Sequence, residues 1–260
     1  MRDDLTGKLL EFANFLADEA AQISRKYFRQ AITITSKENQ SPVTIADREI
    51  ELRLRELIKQ YYPSHGIIGE EFANHDTPAE FCWVLDPIDG TVAFSTGKPT
   101  FTTLVALLRD GVPVLSVIDQ AISRERFSAV AQNETWLNGV KLRTSKQTEV
   151  ANVRLNATTP LMFTTAYERD AFERVRSKVR LTAFGGDAYA FGLLAAGHID
   201  VIMEAELQYY DIAALMPVIE SAGGVISDWQ GKPLNREFNG QVLASANIEL
   251  HNKILQIINS

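Results

Sequence analysis

Residues 83–91 read Trp-Val-Leu-Asp-Pro-Ile-Asp-Gly-Thr. An apolar run ends at Asp86, a proline follows, and Asp89-Gly90-Thr91 opens the next segment. Two acids three apart say little alone, because 33 acidic residues in 260 supply several such pairs by chance. The context adds the information. A strand over 81–85 that ends at Asp86, with Pro87 forcing a turn, puts both carboxylates at the strand's carboxyl end, aimed at one spot. Two carboxylates that close repel, and one must take up a proton unless a cation intervenes. Oxygen-only ligands suit a hard ion such as Mg2+. If a helix begins after Asp89, the free N–H groups of Gly90 and Thr91 point at the same spot and can hold phosphate. The competing reading is a turn with two capping acids.

Other acids join this picture further out. Gly69-Glu70-Glu71 follows the apolar pair Ile67-Ile68 and reads either as a solvated acidic turn or as part of a metal shell. Asp211, in Tyr210-Asp211, reads either as a helix N-cap or as one more ligand. Asp47 closes Thr44-Ile-Ala-Asp47, an N-cap pattern with an acid in the first turn, so it stands near a helix N-terminus.

The rest of the chain alternates helix and strand. Leu5, Leu9, Phe12, Leu16, Ala20, Ile23 and Tyr27 form one helical stripe. The polar stretch 35–42 reads as a loop, and a second helix through Ile50, Leu54, Leu57 and Tyr61 stops at Pro63. Strands over 102–108 and 112–118 flank Arg109-Asp110-Gly111, a hairpin signal, with a third strand over 126–131 and a tight turn at Asn138-Gly139. Beyond residue 146 the pattern predicts strands at 153–157, 179–184, 199–203, 225–227 and 241–245. It predicts helices at 167–175, at 187–196 after Gly185-Gly186, at 211–222 with a kink at Pro217, and at the C-terminus. The expected organisation is an α+β lobe over 1–145 and an α/β lobe over 146–260, packed in layers.

Composition excludes several classes. Hydrophobic residues are 45% and charged residues 23%, ordinary for a globular protein. No uncharged apolar run approaches a membrane span. The net charge of −7 makes the chain a poor partner for nucleic acid. The start, MRDDLTGKLLEF, has acids where a signal peptide needs a basic region, and Cys82 is the single cysteine. Both features fit a cytoplasmic protein. Asn-x-Ser/Thr sequons at Asn39, Asn133 and Asn156 mean little without a secretory signal. Gly97-Lys98-Pro99 has Pro99 where a P-loop needs Ser or Thr, Gly185-Gly186 lacks the third glycine of a dinucleotide site, and no Gly-x-Ser-x-Gly elbow occurs. His65, His75, His198 and His251 have no zinc spacing.

Taken together, residues 83–96, WVLDPIDGTVAFST, resemble the first signature of the inositol monophosphatase family of magnesium-dependent, lithium-sensitive phosphatases. Gly69-Glu70-Glu71 resembles its upstream metal-binding segment. Tyr210-Asp211-Ile-Ala with Glu220-Ser-Ala-Gly-Gly224 resembles its second signature. The resemblance implies a layered αβαβα sandwich, and two or three Mg2+ per active site. Glu70, Asp86 and the Ile88 carbonyl would hold one ion, and Asp86, Asp89 and Asp211 the second. Asp47, through Thr91, would position the attacking water, which Glu70 and Thr91 orient. Gly90 and Thr91 would hold phosphate, and Gly185, Gly186, Asp187 and Glu204 would line the leaving-group side. It further implies a homodimer acting on a small phosphorylated metabolite without a phosphoenzyme.

Within the family, residues 97–108, 117–127, 185–197 and 209–229 look most like the histidinol-phosphatase branch, which would place the reaction in histidine biosynthesis. Tyr210 where Trp is common and Leu215 where small residues are common depart from the second signature. Asp187 adds an acid where inositol-type members usually carry a small residue. It could pair with the substrate's cationic amine, or merely cap its own helix. The alternatives are an inositol-1-monophosphatase or another small sugar- or nucleotide-derived phosphatase. A silent scaffold homologue is disfavoured because every acid of the metal shell is present.

Overall fold

The computed structural model describes residues 2–30, 34–36, 42–74 and 79–260. Helix α1 (Arg2–Tyr27) is followed by β1 (Ile34–Ser36), β2 (Pro42–Thr44) and helix α2 (Ile45–Tyr61). The polar stretch expected as a loop is thus bounded by two short strands, which pair antiparallel from Ile34↔Thr44 to Ser36↔Pro42. Its middle, 37–41, lies outside the described residues, as does His75. Along α1 the stripe buries Leu9, Phe12, Leu16 and Ala20, while Leu5 at its start is 48% exposed. Helix α2 begins with the anticipated cap: Thr44 is N-cap and Asp47 is N3 in a reciprocal capping box.

Seven strands follow: β3 (Gly66–Gly69), β4 (Phe81–Asp89), β5 (Thr102–Arg109), β6 (Val112–Gln120), β7 (Glu125–Val130), β8 (Thr135–Leu137) and β9 (Val140–Lys141). They form one sheet in sequence order, with helix α3 (Thr91–Ser95) between β4 and β5. Only β3 and β4 run parallel; the others pair antiparallel.

The remaining elements are β10 (Arg154–Ala157), α4 (Ala166–Arg176), β11 (Leu181–Phe184), α5 (Asp187–Ala195), β12 (Val201–Glu204), α6 (Tyr209–Ile212), α7 (Leu215–Ser221), β13 (Val225–Ser227), β14 (Val242–Ser245) and α8 (Ile248–Ile258). Their strands form a second sheet in the order β11-β10-β12-β14-β13.

Three apolar clusters join five layers. Phe12, Leu16 and Leu54 of α1 and α2 pack with Trp83, Leu85, Leu107 and Val117 on one face of the seven-stranded sheet. Its other face, with Val84, Ala106, Ile118 and Phe127, meets α5 and α7, which also meet Ile202 and Ala244 of the second sheet. The far face of that sheet, with Leu155, Met203 and Leu243, packs on α4 and α8. The order is αβαβα, and each strand serves two layers because its side chains alternate. Contact between α5 and β7 is close. A Cβ on Gly192 would stand 2.6 Å from the Phe127 ring. Among the described residues, no helix is long and apolar enough to cross a membrane.

Two expectations about local structure need correction. Strand β4 does not stop at Asp86, and Pro87 makes no turn; the strand runs through to Asp89. Pairing with β3 ends at Gly69↔Leu85, and the β5 register is irregular between Asp86 and Asp89. Pro87 therefore sits where no regular ladder needs its missing N–H, and its carbonyl accepts the Thr103 hydroxyl at 2.8 Å. The expected single helix over 211–222 is two helices, α6 and α7, broken at 213–214. Pro217 explains the break. Its ring collides with the carbonyl four residues earlier, on Ala213, so the helix restarts at Leu215 with Pro217 in the first turn. Gly223, at φ 103°, ends α7 as anticipated.

Candidate active site and metal cage

The register irregularity in β4 creates the site. In a regular strand, residues three apart face opposite sides of the sheet. Across the irregularity Asp86 and Asp89 instead face one spot, where Asp211 joins them. Ligand oxygens of the three lie within 4.8 Å of one another. Asp86 is 1% exposed, and its Oδ1 is buried with no hydrogen-bond partner among the described residues. Burial, then the Glu70, Asp89 and Asp211 carboxylates, push Asp86 well above the usual carboxylate range. Asp89 is pushed the same way by burial and by Asp187 and Asp211, while the Ala188 N–H, 2.6 Å from Asp89 Oδ2, opposes the rise. A buried carboxylate oxygen without a donor, inside a crowd of like charges, fits a hard divalent cation. Glu70, in the turn after β3, reaches the same crowd.

Asp211 does not take the N-cap position. Gln208 is the cap of α6, and Asp211 is its N3 residue, with Oδ2 accepting the Gln208 N–H at 2.7 Å. The capping and ligand readings are compatible, since the cap uses one oxygen. Asp47 is arranged likewise. Its Oδ2 accepts Thr44 N–H at 2.9 Å and Thr44 Oγ1 at 2.5 Å, while Oδ1 faces Thr91 Oγ1 at 3.4 Å. The Thr91 hydroxyl is also 3.2 Å from the Ile88 carbonyl. Asp47, Ile88 and Thr91 therefore stand together at the β4–α3 bend. Gly90, at φ 80°, is the N-cap of α3, so glycine is required to turn the chain there.

Asp187 does not cap α5. Gly186 is the N-cap, Asp187 is the first residue of the helix, at φ 47°, and the side chain that bonds the first turn is Asp89, which accepts the Ala188 N–H. Asp tolerates this left-handed conformation better than most residues. Its carboxylate lies against Gly90: a Cβ on Gly90 would stand 2.8 Å from Asp187 Cγ. Burial raises Asp187 to about 6, with Lys98 opposing. Glu204, 3% exposed, rises to about 7 through burial, opposed by Thr158, with Asp187 and Asp211 adding to the rise. Thr158 bonds it through N–H at 3.2 Å and Oγ1 at 2.6 Å. The Gly185 N–H is engaged by the Ala157 and Thr158 carbonyls, which holds the turn before α5.

Sequence reasoning missed the residues that hold these groups in place. Asn156 Nδ2 donates to the Gly185 carbonyl at 3.0 Å, and Thr158 holds Glu204. Neither carries a local signal, because each acts at a strand end across the sheet. Glu51 and Arg55 of α2 bond the backbone after Glu70. Their spacing of four and eight from Asp47 puts all three on one helix face, a signal that was available.

A five-layered αβαβα fold with a carboxylate cage beside a glycine bend defines a class of metal-dependent phosphoric monoester hydrolases. The chain belongs to the inositol monophosphatase family, whose model matches residues 6–260. That family is generally Mg2+-dependent and acts on small phosphorylated substrates, and the chain is accordingly a phosphatase. It is 44% identical over 235 residues to the chloroplastic bifunctional phosphatase IMPL2 of Arabidopsis thaliana, covering 90% of this chain and 68% of that protein. It is 30% identical over 256 residues to a histidinol-phosphatase of Chlorobaculum parvum, covering 96% of each. Among solved structures, an inositol monophosphatase from Zymomonas mobilis superposes with a TM-score of 0.89 at 40% identity, covering 98% of both chains.

Proposed function

We propose that the chain hydrolyses L-histidinol phosphate to L-histidinol and inorganic phosphate in a Mg2+-dependent reaction. One observation carries the choice of substrate. Asp187 is released from capping and lies against Gly90, with Glu204 in electrostatic reach. Two carboxylates suit a cationic amine, which histidinol phosphate has and inositol phosphate lacks. The histidinol-phosphatase of Chlorobaculum parvum among the relatives supports the same reading.

Glu70, Asp86, the Ile88 carbonyl, Asp89 and Asp211 would hold the ions. When bound, Mg2+ supplies charge that screens the phosphate oxygens and acidifies the attacking water. Gly90 and Thr91 would hold phosphate through backbone N–H groups. The Thr91 hydroxyl can donate to Asp47 Oδ1, an acceptor-only group, which leaves its lone pairs to accept from a water. Glu70 orients the same water. The water oxygen attacks phosphorus in line, the P–O bond to histidinol breaks, one proton of the water ends on the phosphate and the departing alkoxide takes the other by way of solvent, so no side chain becomes phosphorylated. Asp187 and Glu204 hold the amine and so fix the leaving-group end.

The test is kcat/KM on histidinol phosphate and inositol 1-phosphate side by side, in Mg2+ and in EDTA. Histidinol phosphate should be preferred, and EDTA should abolish turnover of both. Asp187→Ala should lower kcat/KM for histidinol phosphate by about 10–100-fold, the scale of one charged hydrogen bond, and spare inositol phosphate. Equal losses on both substrates, or none, overturn the assignment. The second reading, an inositol monophosphatase, draws support from the 40% identity to the Zymomonas mobilis enzyme. A preference for inositol 1-phosphate would establish it.

A further inference from the structure

Helix α2 presents four side chains along the candidate site. Asp47 faces Thr91, and Arg48 Nε lies 3.9 Å from Glu71 Oε2. Glu51 and Arg55 reach the backbone of the turn that carries Glu70. Glu51 is 0% exposed. Its Oε2 accepts the Glu71 N–H at 2.7 Å, and its Oε1 accepts the Phe72 N–H at 3.3 Å and Arg55 Nε at 2.7 Å. Arg55 Nη2 donates to the Phe72 carbonyl at 3.0 Å. One buried ion pair thus satisfies three backbone groups of a segment that has left the sheet at Gly69. Gly69 makes the approach possible. A Cβ there would overlap Glu51 Oε1 and stand 2.8 Å from Arg55 Nη2.

We infer that Glu51 is a positioning residue for the metal cage. With Arg55 it fixes the turn 70–72 and aims the Glu70 carboxylate before any cation arrives. The inference rests on the proposed role of Glu70 as a ligand. The same helix holds Asp47 at the β4–α3 bend, so one rigid element sets the spacing between the Glu70 turn and Thr91. Glutamine at position 51 would set an amide NH2 against one of these donors. The turn would loosen, and ordering it would then come out of the free energy of cation binding.

Isothermal titration with Mg2+ alone tests this on four proteins: wild type, Glu51→Gln, Glu70→Gln and Glu168→Gln. Each is measured at a temperature where circular dichroism shows the chelated protein folded. Glu51→Gln should weaken Mg2+ binding about 10-fold, as loss of a residue that orients a ligand does. Glu168, a buried carboxylate of α4 that accepts the Thr165 N–H and the Gln241 amide, is the control. Its variant should lose stability and keep its Mg2+ affinity. An equal loss of affinity in Glu168→Gln would reduce the effect to general destabilisation and overturn the inference. If Glu70→Gln binds as wild type does, the ligand reading itself fails. If Glu70→Gln weakens binding and Glu51→Gln stays within about twofold of wild type, only the positioning role fails. Amide exchange in metal-free wild type covers the case of a variant that does not fold. The Glu71 and Phe72 amides should be protected by about 100-fold or more, and unprotected exchange there overturns the inference.

Discussion

Replacing Asp86 by Asn should make the metal-free protein more stable and the catalyst far worse. Asp86 is 1% exposed, and its ligand oxygen lies within 4.8 Å of those of Asp89 and Asp211. At an effective dielectric of about 20, two charges that far apart repel by about 3.5 kcal/mol. Without a cation the cage escapes by binding protons. Holding one on an aspartate of ordinary pKa at pH 7.5 costs about 5 kcal/mol. Each surplus charge therefore costs the chelated protein some ~3–5 kcal/mol, and Asn, of the same shape and neutral, removes one. Allowing for imperfect hydrogen bonding by the new amide, a gain of about 2–4 kcal/mol remains, or about 5–10 °C in Tm. Saturating Mg2+ works the other way. At about 1,000 times Kd it adds about 4.1 kcal/mol to the wild type and little to a variant without the ligand, which offsets the gain. The assay is paired thermal melts in EDTA and in Mg2+, with phosphatase turnover beside them. Turnover should fall more than ~100-fold, beyond the loss typical of residues that only orient a ligand. A variant that melts below wild type in EDTA, or that keeps near-normal turnover, would refute the cage.

Three further outcomes are expected. Gly90→Ala should depress kcat/KM at least ~10-fold and lower the chelated melt by a few degrees, because alanine at φ 80° costs about 1–2 kcal/mol and its Cβ meets Asp187; unchanged kinetics would contradict the placement of Asp187. Gly192→Ala should lower Tm by several degrees while preserving turnover per folded molecule, since overpacking against Phe127 costs about 1–3 kcal/mol; an unshifted melt counts against the close α5–β7 contact. His251 is buried between Ser227 (2.9 Å) and Ser245 (3.1 Å), and burial lowers its pKa from 6.5 to about 4. The unfolded chain then binds more protons between those values, so the contribution of His251 is complete above pH 6.5. As the pH falls toward 4, about 3 kcal/mol is lost. Urea titrations from pH 7 to 4.5 should show a steeper loss in wild type than in His251→Gln, and parallel slopes would remove His251 as the cause.

Much of the site was legible because its signals are local. The apolar run into Asp86, the glycine at the bend, the Thr44–Asp47 cap and the Gly-Glu-Glu turn each depend on a few neighbouring residues. Local signals misled where a distant strand decided. Pro87 suggested a turn, but β3 ends its pairing at Leu85 and the β5 register slips, so the strand continues. Asp187 offered capping or substrate recognition, and only the structure showed Gly186 in the cap position and the Asp187 carboxylate against Gly90. The helix spacing placed Glu51 on the face of Asp47, but its partners, the N–H groups of Glu71 and Phe72 some twenty residues away, carry no side-chain signal, so its role was not legible.

Chain composition and periodicity by themselves determined helices and strands packed in layers, their hairpins and caps, and a short list of acids capable of binding a hard cation. Tertiary structure alone decided that Asp86 and Asp89 converge within one continuous strand, that Asp211 closes on them and that α5 brings Asp187 to the same bend. The reason is physical. Backbone propensity acts over a few residues, whereas electrostatic crowding arises only when packed layers bring remote carboxylates together.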